Sequence, residues 1–119
     1  MFLVNEFAET GLDKSALADS GIPTESVVGG SLFCECKAGE FLASLQQRVM
    51  PAHRNNPLDA LVIETSGIAN PDAIGQVIAH SELKNSFNIH RIITIVSPES
   101  LLKLWDNLPV TQAQIRHSD

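Results

Sequence analysis

Apolar positions in this chain gather into short runs, and their spacing switches between two periods. Phe2 to Phe7 (FLVNEF) is apolar at first and polar at its end, the pattern of a strand. Ala8 to Gly21 is rich in Glu, Asp, Ser and Gly and predicts a loop, with a helical turn around Lys14–Ala18. Ser26, Val27 and Val28 form a second short β-type run that stops at Gly29 and Gly30, where the backbone is free to turn. From Gly39 to Val49 the period becomes helical. Phe41, Leu42, Leu45 and Val49 share one face, and Pro51, Asn55, Asn56 and Pro57 are expected to end that helix in a loop.

A strand over Leu58–Glu64 follows, then a turn over Thr65–Asn70. Asn70 suits an N-cap, Pro71 the first helical position and Asp72 the positive end of the helix dipole. Ala73, Ile74, Val77 and Ile78 give the ensuing helix its apolar face. Ser81 to Asn88 is a polar connection, and Arg91 to Val96 (RIITIV) predicts another strand. Ser97, Pro98 and Glu99 open a helix whose buried side is expected to be Leu101, Leu102, Leu104 and Trp105. The tail from Pro109 predicts a short helix anchored by Ile115. The runs at Leu61 and Ile92 are near-continuous rather than alternating, as in strands covered on both faces. The fold class expected is therefore α/β, a mostly parallel sheet flanked by helices with right-handed crossovers.

Composition narrows the functional classes. The chain has 119 residues, 44% of them hydrophobic, with a net charge of -6. Its pI is about 5.0 and its mean hydropathy +0.06. An acidic balance argues against a broad electrostatic grip on nucleic acid or on an anionic membrane. No apolar run approaches the ~18–20 residues of a spanning helix, and the N-terminus lacks the features of a signal peptide. Cys34 and Cys36 are the two cysteines. Their spacing is poor for a structural disulfide and better for metal or redox chemistry, so a cytoplasmic setting is expected. His53, His80, His90 and His117 show no metal-type spacing and are expected at the surface.

The stretch Leu58–Pro71 (LDALVIETSGIANP) has the most chemical content. A buried strand delivers a carboxylate, Glu64, then Thr65, Ser66 and Gly67, to a glycine turn. This is how α/β nucleotide-binding domains build a site at a strand's C-terminal end. Glu64 there suits Mg²⁺ held through water, or the orientation of an attacking water, and Gly67 suits close approach to a phosphate. An ordinary acid beside an ordinary glycine turn would look the same. The chain contains neither a phosphate-cradling G-x-x-x-x-G-K-S/T nor a G-x-G-x-x-G, and no Asn-Lys-x-Asp.

The spaced set LVNEF-x-E-x-GLD at Leu3–Asp13 and VIETSGIANP at Val62–Pro71 resembles the CobW family of GTPases, which groups with the metal-delivery GTPases UreG and HypB. That family's pattern is close to VNEFGEVGID, then GCICC, then ETTGLADP, then VVTVVDA. Val4, Asn5, Glu6, Phe7, Glu9, Gly11, Leu12, Asp13, Glu64, Thr65, Gly67, Ala69 and Pro71 match it. Arg91–Val96 resembles the next strand, and Gln114–Asp119 (QIRHSD) the segment before the guanine-reading motif. Ala8 stands for the family's glycine, and Val96-Ser97-Pro98 for its VDA.

The resemblance implies a single partial P-loop GTPase-like domain over residues 1–119. Its phosphate loop is expected upstream of Met1 and its Asn-Lys-x-Asp downstream of Asp119. It implies a hydrolase parent that uses GTP and Mg²⁺ to deliver zinc or cobalt to a client metalloprotein, with cobalamin biosynthesis as one setting, and a chain inactive alone. Glu64 would be the Walker B and switch acid. Glu6 to Asp13 would be the first switch, with Glu6, Asp13, Thr65 and Gly67 near nucleotide and Mg²⁺. Cys34, Glu35 and Cys36 would stand in the family's metal-binding cysteine motif, with the alignment open by a residue. In an extended chain residues 34 and 36 point to one side and Glu35 to the other. Two sulfurs ~2.3 Å from one tetrahedral Zn²⁺ lie ~3.8 Å apart, so a shared ion requires a turn and further ligands. A non-catalytic α/β module that binds metal or a partner, and self-association through exposed sheet edges, are the other expectations.

Overall fold

A computed structural model describes residues 1–6, 20–28, 38–65, 67 and 69–119, with backbone alone at residues 5, 6 and 28. The chain divides into two compact units, Met1–Gly67 and Ile68–Asp119, taken here in turn.

The first unit is built on three parallel strands, β1 (Phe2–Glu6), β2 (Thr24–Val28) and β3 (Val62–Glu64), in the order β2-β1-β3. Phe2 aligns with Thr24 on one side and with Val62 on the other, and Glu6 aligns with Val28. Leu3 and Val4 are fully buried although successive side chains point to opposite faces. β1 is thus covered on both faces, whereas β3, for which that was expected, leaves Val62 49% exposed. β3 is shorter than the expected Leu58–Glu64, because Leu58 to Leu61 approach the sheet as irregular chain.

Between β2 and β3 runs α1 (Ala38–Ser44), which passes through a π-helical turn (Leu45–Val49) into α2 (Met50–Asn55). Phe41, Leu45 and Val49 are buried, so the predicted face is the one that packs. Pro51 does not end the helix as expected. Proline lacks an N–H, and its ring crowds the carbonyl one turn back. The turn before it widens, with the Met50 N–H bonding to the Leu45 carbonyl, and the helix continues to Asn55. Arg48, on that turn, donates through Nη1 to the Ser26 carbonyl at 3.1 Å and to Glu25 Oε2 at 3.2 Å, placing a cation on the β2 backbone.

The second unit opens with α3 (Pro71–Ala79). Its cap is as predicted: Asn70 Oδ1 accepts from the Asp72 N–H at 3.1 Å. Ile78 and Leu83 are buried, and Ser81 Oγ bridges them by donating to the Ile78 carbonyl and accepting from the Leu83 N–H. α4 (Pro98–Leu104) and α5 (Pro109–Arg116) complete it.

Two expectations fail in this unit. Arg91–Val96 is not a strand, and Ile93 and Ile95 are 79% and 95% exposed. A strand needs a ladder partner, and among the described residues of this unit there is none. The segment instead bonds to the chain's end. The Ile92 N–H donates to Asp119 Oδ2 at 2.8 Å, the Asp119 N–H to the Ile92 carbonyl at 2.9 Å, and Thr94 Oγ1 to the Gln114 carbonyl at 3.0 Å. Nor is the apolar side of α4 buried: Leu102 is 82% exposed, and Leu104 and Trp105 also face outward. Ile115 is half-buried. No described helix is long and apolar enough to cross a membrane.

The packing predicts a contrast. Leu45→Ala should cost about 2–5 kcal/mol in a denaturant titration, by lost transfer energy and a cavity. Leu102→Ala should stay within about 0.5 kcal/mol of the parent.

Candidate functional site

Because β1, β2 and β3 are parallel, their carboxyl ends face one edge of the sheet, Glu6 level with Val28 and Glu64 level with Val4, two residues earlier. The chain leaves the sheet three times from one edge. Each departure leads into a segment that the sequence singles out: the acidic stretch after Glu6, the glycines and cysteines after Val28, and the hydroxyl-glycine turn after Glu64. Carboxyl-terminal strand edges of open α/β sheets are where ligands bind.

Glu64 is the last residue of β3 and is exposed, so its carboxylate is at the edge in reach of solvent and ligand. Thr65 follows, half-buried, and Gly67 is exposed in the turn. Gly67 does not occupy the left-handed region, in which Gly21 is found with φ 68°. A Cβ built on Gly67 would meet nothing within 4 Å among the described residues. Neither backbone conformation nor crowding by those residues accounts for a glycine here, and the space beside it is open to a ligand. An exposed carboxylate on a strand tip beside a hydroxyl is of the oxygen-ligand type that a hydrated Mg²⁺ takes.

Glu6 stands at the edge by its backbone, in register with Val28. Asp13, Cys34, Glu35 and Cys36, expected as switch and metal ligands, lie outside the described residues. All four histidines are exposed, as expected. Three of them are engaged: His53 Nδ1 accepts from the Leu58 N–H at 3.0 Å, His80 Nδ1 meets the Gln76 carbonyl at 2.8 Å, and His117 Nδ1 meets Asp72 Oδ1 at 3.0 Å.

Sequence reasoning missed the residues that hold the entry to α3 within the second unit. Gln114 Nε2 donates to the Ala69 carbonyl at 2.9 Å, and His117 reaches Asp72 in the first turn of α3. The only signal in the sequence was the likeness of Gln114–Asp119 to a segment near a nucleotide-reading motif.

Comparison with known proteins gives the same direction. The family model for the CobW/HypB/UreG nucleotide-binding domain matches residues 1–119. The chain is 32% identical over 100 residues to the zinc chaperone CobW of Pseudomonas aeruginosa, covering 79% of this chain and 26% of that protein. It is 30% identical over 100 residues to the zinc chaperone YeiR of Escherichia coli, covering 84% and 29%. With the zinc chaperone YjiA of Escherichia coli it shares 24% identity over 117 residues, covering 97% and 36%. The chain thus spans about a quarter to a third of the curated relatives it matches. No solved structure gives a significant match.

The geometry around the turn predicts separable effects on stability. Asn70→Ala should cost about 1 kcal/mol through the lost cap. Gly67→Ala should shift stability by no more than about 0.5 kcal/mol, since its Cβ enters open space. Both are read by thermal or urea unfolding.

Proposed function

Since the chain belongs to the CobW/HypB/UreG nucleotide-binding domain family, we propose that it is the switch and Walker B portion of a GTP-hydrolysing metal chaperone. The observation that supports this most is the shared edge at Glu6, Val28 and Glu64, from which all three motif segments depart. In this reading the two units belong to one partial GTPase-like domain, and the parent protein works in the cytoplasm.

Glu64 orients the attacking water or holds Mg²⁺ through water, and Thr65 and Gly67 stand near the phosphate end of the nucleotide. Glu6 and Asp13 belong to the first switch, near the same ion. Bound Mg²⁺ would neutralise charge on the phosphates as they separate. The side chains of this chain contribute position and a proton acceptor. Cys34 and Cys36, with Glu35 or another carboxylate, take the cargo. Zinc is favoured, because the relatives are zinc chaperones and thiolates suit it; cobalt is the alternative cargo. The recipient is a client metalloprotein.

The sheet also supports self-association of the isolated chain. β2 and β3 are the outer strands of the described sheet, and Val62, Ile93 and Ile95 are exposed. Such edges and apolar runs pair with copies of themselves unless covered. Sedimentation should show a weight-average mass that rises with concentration, and a strictly monomeric profile would reject the idea.

The full-length protein carrying this chain tests the activity. Glu64→Ala should lower GTP turnover at least about a hundredfold, whereas Gly67→Ala should lower turnover while leaving the fold intact. Replacing Cys34 and Cys36 together by Ser should weaken zinc binding at least about tenfold, read by competition with a chromogenic chelator. Wild-type turnover in Glu64→Ala would sink the catalytic assignment. Zinc uptake with no GTP turnover in the parent would favour a non-catalytic metal-binding module.

A further inference from the structure

β2 is an outer strand of the described sheet, and its register shows which backbone groups face away from β1. The Phe2 N–H donates to the Pro23 carbonyl at 2.8 Å, and by the alternation of a parallel ladder Glu25 and Val27 also turn their N–H and C=O toward β1. Thr24 and Ser26 turn theirs outward. A row of outward groups is a template for another strand. There is room beside it: a cleft of about 400 Å³ borders this edge, lined by Ser26, Val27, Glu40, Ser44, Gln47 and Arg48.

Arg48 stands on that edge. Its Nη1 donates to the outward Ser26 carbonyl at 3.1 Å and to Glu25 Oε2 at 3.2 Å. The two side chains of the ion pair are 48% and 40% exposed, and a pair so open to solvent adds little stability. Its effect on the edge is larger. The Ser26 carbonyl is an acceptor that an added strand would need, and it is taken. A guanidinium only donates, so an incoming N–H meets a donor there. Two copies joined edge to edge are related by a two-fold axis. Antiparallel pairing centred on Ser26 would bring the two Arg48 cations together, and like charges so placed oppose it. The strand itself raises no such objection: Thr24 would lie opposite Val28 and Glu25 opposite Val27, with no like charges paired.

We infer that Arg48 guards the outer edge of β2 against strand addition by a second copy of this chain. The self-association proposed above then runs through other surfaces, and the guard does not depend on it or on the GTPase reading.

Sedimentation of the chain with Arg48→Ala, beside the parent and Glu25→Gln, tests this. Arg48→Ala frees the Ser26 carbonyl and removes the charge, so self-association should tighten at least about tenfold. In Glu25→Gln the guanidinium keeps its bond to the Ser26 carbonyl, and association should stay within about threefold of the parent. Adding Thr24→Pro to Arg48→Ala removes an outward N–H while sparing the ladder to β1, and should return association to the parent's level. Hydrogen exchange gives a second readout that needs no proline: in Arg48→Ala the peptide covering residues 20–28 should exchange more slowly as concentration rises, and in the parent it should not. Unchanged association in Arg48→Ala overturns the inference. So does equal tightening in Glu25→Gln, which marks loss of the ion pair rather than of the guard, or tightening without slowed exchange over residues 20–28. A parent that stays monomeric removes the self-association proposed above, and the comparison of Arg48→Ala with it still decides the role of Arg48.

Discussion

β1 is hydrogen-bonded in parallel to β2 on one side and to β3 on the other, with Leu3 and Val4 closed off from solvent on opposite faces. A parallel pair cannot be joined by a tight hairpin, so the chain must leave the sheet and return by a crossover. Here the crossover between β2 and β3 includes α1, the π turn and α2, whose buried Phe41, Leu45 and Val49 supply core. Parallel direction also decides where chemistry collects. Every strand delivers its last residue to one edge, and polar residues placed just after apolar runs converge there without any long-range signal in the sequence.

That convergence explains why so much was legible. Leu3-Val4 and Val62-Ile63 read as strands because a β-type run needs only its own residues to declare itself, and the polar residue ending each run marks the edge. The Asn70-Pro71-Asp72 cap was equally plain, since its donors and acceptors are neighbours in the chain. What failed depends on partners. Arg91–Val96 has the composition of a strand, yet an apolar run states a need for burial and does not say what will meet it. Leu102 and Trp105 repeat the lesson on a helix: the period located α4 but not the side that packs. For the candidate site, Glu64, Thr65 and Gly67 could be nominated because motif order is local. Gln114 and His117 were not, because their bonds to Ala69 and Asp72 span much of the second unit.

The polar ties of the second unit show how a small unit with few buried apolar side chains can fix its geometry. Ser81, Thr94, Gln114 and Asp119 each use a side chain to satisfy a backbone group that a longer helix or a paired strand would have satisfied. Such bonds are individually modest in net free energy, near 1 kcal/mol, but leaving the same groups buried and unpaired would cost more. They are also directional, so they specify an arrangement that apolar contacts alone would leave free to slide.

The π turn ahead of Pro51 has a bearing on chain length. An i to i+5 turn contains one residue more than an α turn, so Ala38–Asn55 is in effect an α-helix carrying a one-residue insertion. The surplus is absorbed where Gln46, Gln47 and Arg48 face outward, between buried Leu45 and Val49. Upstream packing is thereby insulated from the proline and from whatever follows it. A change in the length of the span leading to β3 can therefore be taken up beyond Val49 without moving Phe41 or Leu45 in the core.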